Sequence, residues 1–147
     1  MKILLVIDVQ EKYLKFYDGD FVERINERIK QAEAEGMCVF YAKNIPSLGN
    51  SSDFPFAKNL YVASDNIYEK TSPSAFSNSA FKSALKEKGV TEIEVIGADG
   101  NCCVRKTCID AINEGYKVSL NLDLIGAGNV KIFEKTLDEL SNLGVEM

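Results

Sequence analysis

Glu92–Val118 reads Glu-Ile-Glu-Val-Ile-Gly-Ala-Asp-Gly-Asn-Cys-Cys-Val-Arg-Lys-Thr-Cys-Ile-Asp-Ala-Ile-Asn-Glu-Gly-Tyr-Lys-Val, and this stretch decides the fold. Ile93, Val95 and Ile96 form a short apolar run that stops at Gly97, the pattern of a buried parallel strand. Gly100 and Asn101 permit a tight turn, with Asn101 the expected N-cap of a helix beginning near Cys102 or Cys103. Val104, Thr107, Cys108, Ala111 and Ile112 recur at helical spacing until Gly115 ends the helix. A cysteine therefore sits at a strand-to-helix elbow, where unpaired N–H groups and the positive end of the helix dipole favour a thiolate.

Upstream, Ile3 to Ile7 is a continuous apolar strand, followed by Asp8 and Gln10 at the carboxyl end where parallel sheets bind ligands. Val22, Ile25, Ile29 and Ala32 give a helix face over 21–35, and 37–42 reads as a second strand. Residues 43–66 form a long loop carrying Pro46, Pro55, Phe54, Phe56 and Tyr61; its length marks it as a lid. A third strand over 67–70 and a helix over 77–88 precede the central stretch. A fifth strand over 117–122 and a helix over 130–143 follow it, and 144–147 could add a stunted sixth strand. The alternation predicts one domain over 1–147, a three-layer α/β/α, doubly wound, mainly parallel sheet of five or six strands. Right-handed crossovers place all the strand carboxyl ends on one edge, which draws Asp8, Lys70 and a cysteine of the elbow together.

At 147 residues the chain can bury a full core without staples. Its net charge of −5, with lysines scattered among glutamates, argues against nucleic acid or an anionic membrane as partner. The first apolar run is too short for a signal peptide, so a cytoplasmic location is expected. The four cysteines then read as free thiols, Cys38 and Cys108 as small core residues. No histidine is present, which removes Ser-His-Asp and Cys-His mechanisms and leaves carboxylates and thiolates as the metal donors available. No metal and no cofactor are expected.

An ordinary cysteine has a pKa of about 8.5, and lowering it to about 6 takes roughly 3.4 kcal/mol of thiolate stabilisation. The Lys70 ammonium and a helix N-terminus are together of that order, and Asp8 could carry the thiol proton to a leaving amine. Each residue alone also has a plainer reading: Asp8 as a ligand or capping residue, Lys70 as solvated surface, Cys103 as a core thiol. A phosphoacceptor receiver-like domain would need an aspartate ending the third strand, where Glu69 and Lys70 stand. A redox pair formed by adjacent Cys102 and Cys103 would strain both the bridge and the peptide between them.

Three segments carry a resemblance: Asp-Val-Gln-Glu-Lys-Tyr at 8–13, Lys-Thr-Ser-Pro-Ser-Ala-Phe at 70–76, and Gly-Ala-Asp-Gly-Asn-Cys-Cys-Val-Arg-Lys-Thr at 97–107. In this order they resemble the signature segments of the isochorismatase-like cysteine hydrolases, which include nicotinamidases and related small-amide hydrolases. The resemblance implies an Asp8–Lys70–Cys103 triad, with Cys103 chosen over Cys102 because Val104 and Thr107 follow it in the family's pattern. It also implies a cis peptide at Ala98–Asp99 and an oxyanion hole from the backbone N–H groups of Asp99 and Cys103. Tyr13, at a position where the family places an aromatic ring, is expected against the substrate, although it reads equally as a core aromatic; Gln10 is a second expected substrate contact. The implied activity is hydrolysis of a C–N bond in a small amide or carbamoyl-type compound through a covalent acyl-enzyme. A catalytically inactive binding module of the same fold is the alternative. Family members commonly self-associate, so a homo-oligomer is expected, with the aromatic residues of 43–66 as a contact. The chain departs from the nicotinamidase pattern in having no histidine in the region of that group's metal site, and little sequence follows the last helix.

Overall fold

The computed structural model describes residues 1–47 and 49–147. Five strands, β1 (Lys2–Ile7), β2 (Cys38–Asn44), β3 (Ile67–Lys70), β4 (Glu92–Ala98) and β5 (Lys117–Gly126), pair in the order β3-β2-β1-β4-β5, all parallel. Four α-helices cover them: α1 (Phe21–Ala34), α2 (Ser79–Glu87), α3 (Cys103–Asn113) and α4 (Val130–Asn142). The run Leu-Leu-Val-Ile of β1 is apolar on both faces because both are covered. Ile3, Leu5 and Ile7 point to a core shared with Phe81 and Leu85 of α2, Val104 and Cys108 of α3 and Leu140 of α4. Leu4 and Val6 point the other way, to Phe21, Ile25, Ile29 and Ala32 of α1 and to Ala57 and Leu60 of the long connection.

Strand order reverses between β1 and β4, and at such a switch point the loops from the two carboxyl ends diverge and leave a crevice. Close approach of the two strands there needs Gly97, whose φ is +116° and whose added Cβ would lie 2.1 Å from the Ile7 carbonyl oxygen.

Several boundaries differ from expectation. The helix expected over 77–88 starts at Ser79, because Asn78 caps it by accepting from the Phe81 N–H at 3.0 Å, and Ala75–Ser77 forms a separate 3-10 turn. β5 continues to Gly126 through a register shift opposite Val95–Gly97, so its alternating second half stays paired. The stunted sixth strand is reduced to one parallel bridge between Ser119 and Glu146. The long connection contains a 3-10 turn at Ser51–Asp53. Phe54, Phe56 and Tyr61 are half-buried rather than exposed, with Phe56 against Tyr41 at 5.7 Å. No helix among the described residues is long and apolar enough to cross a membrane.

Gly97→Ala should cost at least about 3 kcal/mol, combining backbone strain with overpacking. Equilibrium urea unfolding would register this as a lower midpoint, and an unchanged midpoint would mean that the β1–β4 contact can yield.

Candidate active site

Asp8 terminates β1 with φ +52°, outside the strand's alternation, which would otherwise carry its side chain to the α1 face beside Leu4 and Val6. Lys70 ends β3 in register with Asn44 of β2, and its ammonium reaches back along the sheet edge. Nζ lies 2.9 Å from Asp8 Oδ2 and 3.5 Å from Asn44 Oδ1. The Lys70 side chain is 0% exposed and that of Asp8 4%. Asp8 Oδ1 is buried with no conventional hydrogen-bond partner, and the Cys103 thiol lies close enough for each group to shift the other's pKa. The structure therefore brings Asp8, Lys70 and Cys103 together, with Asp8 and Cys103 at the wall of a cavity of about 250 Å³ and Lys70 buried behind Asp8. Tyr13, Phe16, Tyr17, Asn44, Ala98, Asp99 and Cys102 complete that wall.

Asn101 does not cap α3. The cap position is Cys102, without a side-chain hydrogen bond, while Asn101 accepts from the Thr136 hydroxyl at 3.0 Å and donates to the Asn129 carbonyl at 2.9 Å. The elbow turns instead around the Asp99 carbonyl, which accepts from the N–H groups of Cys102 and Val104, both at 3.1 Å. Among the described residues, the N–H groups of Asp99 and Cys103 donate to no protein acceptor, and both residues line the cavity. The peptide between Ala98 and Asp99 is cis. Thr107 accepts from the Ala75 N–H at 3.0 Å, joining α3 to the segment after Lys70.

The surroundings of Cys103 run against the expectation of a preformed thiolate. Burial pushes the Cys103 pKa up, the neighbouring Asp8 charge pushes it further, and Lys70 only partly opposes them. Burial also raises Asp8, against the lowering effects of Lys70 and the thiol. Burial and the Asp8 charge both disfavour the thiolate, and the Asp8 carboxylate stands beside the thiol as an acceptor within reach of its proton.

Gln10 is also corrected as a substrate contact. It is fully buried, donates from Nε2 to the carbonyls of Asn44 and Phe54 at 3.0 and 2.9 Å, and accepts from the Asn44 N–H at 2.8 Å. These bonds tie Phe54 of the long connection to the end of β2, and neither Phe54, Phe56 nor Tyr61 lines the cavity. Tyr13 does line the cavity, with its hydroxyl accepting from Asn44 Nδ2 at 3.1 Å. Sequence reasoning missed Tyr17 and the side chain of Asp99. Asp99 Oδ2 accepts from the Tyr17 hydroxyl at 3.0 Å and the Gly128 N–H at 2.9 Å, while Oδ1 accepts from the Asn101 N–H at 2.9 Å. No short-range signal links residue 17 to residue 99.

A three-layer α/β domain with an acid, a lysine and a thiol at its switch point is the class this geometry defines. The isochorismatase domain profile matches residues 2–147, and the chain belongs to that family. It is 32% identical over 77 residues to nicotinamidase 3 of Arabidopsis thaliana, covering 52% of this chain and 39% of that protein. It is 30% identical over 63 residues to the nicotinamidase/pyrazinamidase of Mycobacterium tuberculosis, covering 43% and 34%. The matched segments span less than half the length of these relatives. In structure the chain resembles the Pyrococcus horikoshii pyrazinamidase in complex with zinc, at a TM-score of 0.85 and 20% identity over 99% of this chain and 97% of that one. An isochorismatase family protein of Desulfovibrio vulgaris gives 0.88 at 20% identity, covering 99% and 92%. At such identities the likeness speaks to the fold.

A zinc site does not fit the residues present here. Among the described residues no three His, Cys, Asp or Glu side chains are grouped to hold an ion, and Asn44 at the cavity wall is already bonded to Lys70 and Tyr13.

Asp8→Asn should lower the pKa of Cys103, because it removes the charge and the hydrogen bond that raise it. The rate of iodoacetamide labelling against pH, read by peptide mapping, should shift its midpoint toward acid. Lys70→Met leaves Asp8 buried and unpaired and should cost about 3–5 kcal/mol of stability; a cost below about 1 kcal/mol would contradict the buried pair.

Proposed function

We propose that this protein is a thiol hydrolase of a small amide or carbamoyl-type compound, acting through a covalent acyl-enzyme on Cys103. The observation that carries the reading is the buried Asp8–Lys70 pair, 2.9 Å apart, beside Cys103 at the wall of a small cavity. The nicotinamidase names of the relatives support C–N bond cleavage as the reaction type.

Sγ of Cys103 attacks the carbonyl carbon while the thiol proton passes to Asp8, forming the C–S bond and placing negative charge on the carbonyl oxygen. The N–H groups of Asp99 and Cys103 receive that oxyanion; one such donor is worth about 3 kcal/mol in related sites. The tetrahedral species collapses with rupture of the C–N bond, and Asp8 returns the proton to the departing nitrogen, which leaves as ammonia or an amine. Water then attacks the thioester, giving one proton to Asp8. The C–S bond breaks, the carboxylic product leaves, and the proton returns to the thiolate. Lys70 keeps its proton throughout and holds Asp8 in position. Asp8 supplies the acid–base role that histidine fills in other thiol hydrolases.

Ammonia release from a panel of small primary amides tests the reading. Cys103→Ala should reduce release to background, and Asp8→Asn should lower kcat by about 100- to 10,000-fold. In the wild type, kcat/KM should fall toward acid through the Asp8 pKa, which burial holds above the ordinary value of 3.8, because protonated Asp8 cannot accept the thiol proton. An inactive binding module would release no ammonia from any amide and show no such limb.

A further inference from the structure

The cavity wall has a charge pattern that the acyl-transfer chemistry does not use. No lysine or arginine lines the cavity among the described residues, and Lys70, buried behind Asp8, is neutralised by it at 2.9 Å. Asp99 is left as the one carboxylate there without a cationic partner. Its three acceptor contacts come from a phenol and two backbone N–H groups, which orient the charge without cancelling it. Tyr13, Phe16 and Tyr17 share the cavity wall with Asp99. One ring, Phe16, already has the Lys15 ammonium 5.3 Å from its centroid, whereas among the described residues no ammonium lies over Tyr13 or Tyr17. Aromatic faces beside an unneutralised carboxylate attract an organic cation and repel an anion. The volume of about 250 Å³ lies below the range usual for drug-sized ligands, about 300–1,000 Å³, so the molecule is small.

We infer that the pocket selects small amides bearing a positive charge remote from the scissile carbonyl, an ammonium or quaternary ammonium group, and that Asp99 is the specificity-determining residue. The raised pKa values of Tyr17 and Cys103, both pushed up in part by neighbouring negative groups, agree with a negative potential in the cavity. For turnover the inference rests on the proposed hydrolase activity; for binding it does not.

The test uses three amides of similar size whose distinguishing group lies three methylenes from the carbonyl: 4-(trimethylammonio)butanamide, its neutral isostere 5,5-dimethylhexanamide, and the anion glutaramate. Ammonia release is measured, and separately the protection each compound gives Cys103 against iodoacetamide, located by peptide mapping. The expected order in both assays is cation, then neutral, then anion, with the cation favoured over its isostere about tenfold at low salt and less at high salt. Asp99→Asn should bring the cation-to-isostere ratio near one, and Tyr17→Phe, which keeps the carboxylate, should retain a preference. Should Asp99→Asn unfold the chain, the salt dependence and the three-compound order in the wild type still decide. Equal protection by cation and isostere, or a faster neutral or anionic amide, overturns the inference while any ammonia release keeps the hydrolase reading. Charge-ordered protection with no ammonia release has the opposite meaning: the pocket selects cations and the hydrolase reading fails.

Discussion

The buried ion pair between Asp8 and Lys70 is the constraint around which the rest is arranged. Two charges removed from water are costly unless they meet in good geometry, and breaking one leaves the other stranded. Meeting here requires that β1 and β3, separated by β2, end at the same edge, and that Asp8 leave the strand's alternation through a positive φ. Asn44 at the end of β2 bridges the gap, accepting from Lys70 on one side and donating to Tyr13 on the other. Gln10 fixes Asn44 in turn through its backbone. A pair stabilising enough to hold the edge together is also what places a proton acceptor beside Cys103.

The elbow after β4 supplies the complementary half. The Cys103 N–H, at the first position of α3, has no protein acceptor among the described residues, and the Asp99 carbonyl satisfies its neighbours at Cys102 and Val104. The Asp99 side chain ties the elbow to the segment before α1 and to the turn before α4, so three parts of the chain converge on one residue. Burial makes the thiol harder to ionise, which in the proposed mechanism favours proton transfer during attack over a thiolate waiting in the resting site.

The strand-helix alternation was legible from apolar runs and glycine stops because β1 and β4 are covered on both faces and α1 and α3 on one. Asp8, Lys70 and the elbow cysteine could be placed at one edge from topology alone. The extent of β5 was not legible, since its continuation depends on a register shift against β4 rather than on its own pattern. Asn101 looked like a cap because local sequence cannot show that its amide is drawn away to Asn129 and Thr136. Gln10 looked like a ligand contact because its strand-end position fits either role; only the path of the long connection decides that its amide is consumed internally. Tyr17 and the Asp99 carboxylate meet across 82 positions of sequence, with no periodicity to announce it.

The most direct test of the account is to identify the atom that carries the acyl group. The wild-type chain is treated briefly with p-nitrophenyl acetate, quenched in acid and mapped by tandem mass spectrometry, with Asp8→Asn in parallel. The account predicts one acetyl thioester on Cys103 and, in the variant, a thioester on the same sulfur that persists longer, because the base for its hydrolysis is gone. Acetylation of Cys102 or of a lysine, with Cys103 unmodified, would contradict it.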